Sequence, residues 1–128
     1  WIGVLDTNQA FAGRGRLTGG SRLVALQPHT DSTVVRFPTD QSDPFYTGTM
    51  GKWQHLDNGN MLLAETKAGR VVEVTPDGRT AWELVRKPYN NSTVPRVPKA
   101  IRVDLTAEDV AGWSCSSGNS SDTSQSLK

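Results

Sequence analysis

Two tight turns confine the middle of this chain to short antiparallel strands. They are Leu56-Asp57-Asn58-Gly59-Asn60 and Pro76-Asp77-Gly78. In the second, proline presets the entry φ, aspartate hydrogen-bonds its own backbone and glycine accepts positive φ. In the first, Asn58-Gly59 suits a type I′ hairpin. Between and beyond them, Met61 to Glu65 is mostly apolar, Arg70 to Val74 alternates, and Thr80 to Leu84 carries β-favouring and aromatic types. These predict three consecutive antiparallel strands, and Thr49 to Leu56 can supply a fourth. Four strands in about 35–40 residues is the size of one propeller blade.

The same signature stands earlier in the chain. Arg22 maps on Arg70, Leu23-Val24 on Val71-Val72, Leu26 on Val74 and Pro28 on Pro76, all at an offset of 48 residues. Ser21 to Phe37 is therefore expected to repeat the strand–turn–strand unit, at a spacing typical of propeller blades. Two ordinary hairpins in a small antiparallel β-sandwich are the alternative. Trp1 to Asp6 reads as a strand matching the second one of a blade, so its inner neighbour is expected from ahead of Trp1 or from another molecule. Lone Cys115 can bond only to a partner outside this chain.

Composition excludes several classes of function. The 14 basic and 13 acidic residues nearly cancel, so no global field points to nucleic acid or a membrane surface. No apolar run is long enough to span a bilayer. A single cysteine rules out a zinc-type cysteine cluster, and no metal or cofactor is implied. Gly13-Arg14-Gly15-Arg16 resembles a phosphate cradle. Thr18 stands where the dinucleotide spacing needs glycine, and no helix signal follows, so a solvated loop is the plainer reading. Asp40 and Asp43 could form an acid/base couple, or simply solvate the crossing between two hairpins.

The remainder divides the chain. Residues 1–38 read as a partial blade and 39–86 as a full one. Residues 87–113 read as a linker and closing strand over Lys99 to Leu105, with a capping box at Thr106 to Asp109 that starts a helical turn. From Ser114 to Lys128, seven of fifteen residues are serine, a composition that buries no core. Asn90, Asn91 and Asn119 each head an N-x-Ser/Thr pattern that permits glycosylation.

The run Asp43-Pro44-Phe45-Tyr46, then Gly51-Lys52-Trp53-Gln54-His55-Leu56-Asp57-Asn58-Gly59-Asn60-Met61-Leu62-Leu63, resembles the C-terminal part of the arylsulfotransferase family. So do Gly69 to Gly78, Ala81-Trp82-Glu83 and Ser21 to Leu26. Lys99-Ala100-Ile101-Arg102 resembles that family's closing motif, with Lys99 where arginine is usual. The resemblance implies a six-bladed β-propeller of several hundred residues that moves a sulfuryl group between phenols through a transiently sulfated histidine. Imidazole is a good nucleophile near neutral pH, and guanidinium clamps spread anionic charge.

The resemblance also implies that the histidine lies in blades ahead of Trp1. His29 sits in a hairpin turn and His55 just before another, so neither is assigned a catalytic role. The expected innermost strands carry Lys52, Trp53, Gln54, Lys99 and Arg102, a basic and aromatic set suited to an anionic aryl ligand. In that reading Lys52, Gln54 and Arg102 converge on one concavity. The remaining blades would be partners, and the sequons and serine tail fit a secreted, periplasmic or cell-surface protein. The second functional reading is a non-catalytic extracellular propeller module used for assembly or ligand binding.

Overall fold

The computed structural model describes residues 1–8 and 20–114. Gly13 to Arg16, Cys115, Asn119 and the serine-rich tail lie outside the described residues. Among the described residues, seven strands form two antiparallel sheets. β1 (Ile2–Asp6), β2 (Arg22–Gln27) and β3 (Ser32–Phe37) make one, in the order β1-β2-β3. β4 (Trp53–His55), β5 (Met61–Glu65), β6 (Arg70–Val74) and β7 (Thr80–Val85) make the other, again in sequence order. The fold is all-β, and the described residues add a short helix, α1 (Ala107–Ala111), started by the capping box of Thr106 and Asp109.

The turns explain this meander. Gly59 N–H donates to Leu56 and Gly78 N–H to Thr75, and Leu56 and Thr75 donate in turn to Asn60 and Arg79. Both turns therefore have the same closure, with a left-handed glycine after an i→i+3 bond (φ +84° and +90°). A type I′ turn would need positive φ at Asn58 as well. Among the described residues Asn58 has none, so the expected type I′ geometry gives way to the three-residue loop. At Gly78 the glycine is required twice over, because a Cβ there would run into the hydroxyls of Thr39 and Ser42. Those hydroxyls stitch the sheet-to-sheet linker to this hairpin tip. Thr39 donates to Asp77 O (2.7 Å) and Ser42 to Gly78 O (2.8 Å). Asp43 accepts from the Thr80 hydroxyl at 3.0 Å, a structural use for one of the paired aspartates.

The fourth strand is shorter than the sequence suggests. Met50 and Gly51 both take left-handed backbone (φ +60° and +85°), which breaks the extended ladder until Trp53.

The sheets face each other across one core. Leu5, Leu23 and Phe37 of the first meet Trp53, Met61, Leu63, Val72 and Val74 of the second, with Phe45 of the linker edge-on to Phe37 at 5.6 Å. Gly3 lets the indole of Trp53 lie directly on β1, where a side chain would collide with the ring. The alternation of β6 does not separate a buried from a wet side. Val71 and Val72 are both buried, because the second sheet is covered on both faces.

The second cover is the stretch 94–103, which the sequence reading assigns in part to a closing strand. Lys99 to Leu105 forms no strand. It lies across the face of the β4–β7 sheet rather than along an edge, so its backbone has no ladder to join. Val97 N–H donates to Thr66 O (3.2 Å), and Val97 and Ala100 pack on Leu56, Leu62 and Val71. Gly69, left-handed at φ +62°, leaves room for Pro95 O, which would lie 2.5 Å from a Cβ.

Candidate functional site

The five residues expected to share an anionic aryl site are parted by strand alternation. In β4 successive side chains point to opposite faces. Trp53 therefore joins the core between the sheets, whereas Gln54 faces the strap formed by residues 94–103. Lys52 and Lys99 are exposed and line neither cleft described below. Of the set, only Gln54 and Arg102 meet.

They meet through a network that leaves little free charge. Gln54, Leu62, Glu73 and Trp82 lie in register across the sheet, and Arg102 is seated above this row. The Gln54 amide donates to Arg102 O (3.0 Å) and accepts from Arg102 N–H (2.8 Å), substituting for two ladder bonds. The Arg102 guanidinium pairs with Glu73 at 2.7 Å. Glu73 is only 4% exposed and also accepts from Asn60 (2.7 Å) and Asn58 (3.3 Å). The Asn60 amide, then Asn58 and the Arg102 charge, hold its carboxyl below the ordinary glutamate value against the opposing effect of burial. The turn that makes the β4–β5 hairpin thus also neutralises a buried carboxylate. Its asparagines carry a role that turn chemistry alone did not reveal.

Next to this network is a 260 Å³ cleft lined by Gln54, His55, Asp57, Asn58, Arg102 and Asp104. Two carboxylates line it and its arginine is engaged, so it is poorly suited to an anion. Replacing Arg102 by Ala should release the strap without unfolding the sheets. Amide exchange over residues 97–103 is expected to speed up roughly ten-fold, with β5 and β6 unchanged. Unaltered exchange would show that the Glu73 pair does not hold the strap.

A different cleft, of about 420 Å³, opens between the two sheets on the other side of β4. Trp53, His55 and Met61 line it from one sheet, and Trp1, Gly3 and Arg36 from the other. No carboxylate lines it. The Arg36 guanidinium lies 5.9 Å from the ring centre of Trp1 and, among the described residues, has no ion-pair partner. Two indoles with an uncommitted guanidinium and imidazole can hold a planar aromatic anion, through π contacts and charge-assisted hydrogen bonds. Arg36 is absent from the sequence-based set because strict alternation hides it. β2 and β3 pair Leu23 with Phe37 and Val24 with Val35, leaving Arg36 as the extra residue at the register shift.

Neither histidine is organised as a nucleophile by this chain. Both are exposed, and among the described residues neither imidazole has a hydrogen-bond partner to orient it. No cluster of metal-ligating side chains is present among the described residues. Asn90 and Asn91 are exposed, and Asn90 accepts from Ser92 and Thr93 in an Asx turn.

The chain belongs to the arylsulfotransferase (ASST) family, whose model matches residues 2–87. The match takes in both sheets and the inter-sheet cleft, and it ends before the strap with Lys99 and Arg102. No curated protein and no solved structure matches the chain. Among the described residues, no helix is long and apolar enough to cross a membrane.

Proposed function

We propose that this chain is the C-terminal part of an arylsulfotransferase-type six-bladed propeller, in which the two sheets serve as neighbouring blades. The enzyme moves a sulfuryl group between phenols. A histidine outside this segment attacks sulfur and the donor phenolate leaves. An acceptor phenol then takes the sulfuryl group and gives up its proton. The remaining blades come from another chain or from sequence ahead of Trp1, and the whole works as a secreted, periplasmic or cell-surface protein. The observation that carries the reading is the family match over both sheets. Two features of the site support it. The inter-sheet cleft offers aromatic faces and a guanidinium that, among the described residues, has no carboxylate partner, as an aryl sulfate requires. Among the described residues neither His29 nor His55 has a partner that would orient a nucleophile, in keeping with a covalent step carried elsewhere.

The test is to tag this chain, purify it in its assembled form and supply 4-nitrophenyl sulfate with and without a phenol acceptor. Acceptor-dependent release of nitrophenolate is expected, with a sulfated histidine peptide mapping outside residues 1–128. Failure to release nitrophenolate would overturn the enzymatic reading. Sulfation of His55 would overturn the external nucleophile.

A further inference from the structure

We propose that Asn91 carries an N-linked glycan whose first sugar stacks on the ring of Tyr89. The proposal rests on the secreted part of the reading above and not on sulfuryl transfer.

The loop in question follows β7 directly and lies past the end of the family match at residue 87. β7 is the edge strand of its sheet, at the end farthest from β4. A neighbouring blade packs on sheet faces, so this rim stays open in an assembled ring as well. Tyr89 to Thr93 closes on itself. Tyr89 N–H donates to Thr93 O (2.9 Å), the five-residue closure already seen in Leu56 to Asn60 and Thr75 to Arg79. Those two loops complete their turn with a left-handed glycine. Here the carboxamide of Asn90 takes over, accepting from Ser92 N–H (3.0 Å), the Ser92 hydroxyl (3.2 Å) and Thr93 N–H (2.8 Å).

This arrangement separates two overlapping sequons, Asn90-Asn91-Ser92 and Asn91-Ser92-Thr93. The Asn90 side chain is the fastening of the loop, and the hydroxyl of its own sequon is bonded to it. Asn91 is exposed and, among the described residues, its amide makes no hydrogen bond. Tyr89 is 75% exposed, and among the described residues neither its ring nor its hydroxyl has a partner. Two residues span no more than about 7 Å, so the ring stands within a sugar's reach of the Asn91 amide. A pyranose presents a face of C–H groups, which the electron-rich face of a phenol ring attracts. A free acceptor amide, an exposed tyrosine two residues before it and a threonine two residues after it thus share one closed turn. In the modification, Nδ2 of Asn91 attacks C1 of the N-acetylglucosamine that ends a lipid diphosphate-linked oligosaccharide. The Nδ2–C1 bond forms and the C1–O bond breaks. The lipid diphosphate leaves with the electron pair, and the amide gives up one proton.

For the test, the assembled protein carries Asn119→Gln, so that this chain's sequons are confined to the loop, and is recovered from a eukaryotic secretory host. N-glycosidase treatment in heavy-oxygen water, followed by peptide fragmentation, should place the label at position 91 and not at position 90. Thr93→Ala should lose the label there and Ser92→Ala should keep it. Complete removal of the glycan should lower Tm, and trimming it to the first sugar should not. In Tyr89→Ala, complete removal should leave Tm unchanged. An unlabelled Asn91, or a label on Asn90 instead, overturns the inference. An equal loss of Tm in wild type and Tyr89→Ala overturns the stacked sugar. Nitrophenolate release from the same samples reports the enzymatic reading separately.

Discussion

Replacing Glu73 by Ala should destabilise the β4–β7 sheet by about 3 kcal/mol, read from the denaturant midpoint at neutral pH. The carboxylate is the common acceptor for Asn58, Asn60 and Arg102, so its loss removes three hydrogen bonds at once and leaves half-buried Asn60 without its acceptor. The figure sits at the low end for breaking a buried pair because the Arg102 side chain is 43% exposed and rehydrates. Acid should have a related effect. The folded-state pKa of Glu73 is lowered, so its contribution is fully present above the ordinary glutamate value and is lost as pH falls through the folded value. Wild type should therefore lose stability in that acidic window faster than Glu73→Gln, which cannot titrate. Parallel pH profiles for the two proteins would rule out this account.

Leu63→Ala is expected to cost about 2–5 kcal/mol, the range for emptying a closed core site. Leu63 is 0% exposed and stands in register between Trp53 and Val72 at the junction of the two sheets. A cavity there loosens both sheets at once. The loss should appear as a single cooperative transition at lower denaturant, with an unchanged slope. A separate early transition confined to β1–β3 would instead mean that the sheets fold independently and share less of the core than their packing implies.

The strands and their order were legible because they depend on neighbours in sequence. Asn58-Gly59 and Pro76-Asp77-Gly78 reverse the chain by local backbone chemistry, and the apolar runs beside them have only one short-range way to pair. The capping box at Thr106 is equally local. The family was legible for a related reason, since its motifs follow these turns in order. What failed at this level is instructive. Lys99 to Leu105 has strand-like composition, but becoming a strand requires an open edge of the right kind, and the fold offers it a face.

Site residues depended on contacts that no spacing encodes. Sequence placed Lys52, Trp53, Gln54, Lys99 and Arg102 on innermost strands as one ligand set. Alternation along β4 sends Trp53 to one side and Gln54 to the other, and the buried charge of Glu73 claims Arg102. Arg36 reaches the aromatic cleft only because a register shift between β2 and β3 turns it there. By itself the sequence determined the hairpins, their connectivity and the all-β class, because turn geometry and period-2 patterning act over a few residues. Only the tertiary structure decided which charges are spent and which are free, because an ion pair forms between residues far apart in the chain and its strength depends on how much water the fold excludes.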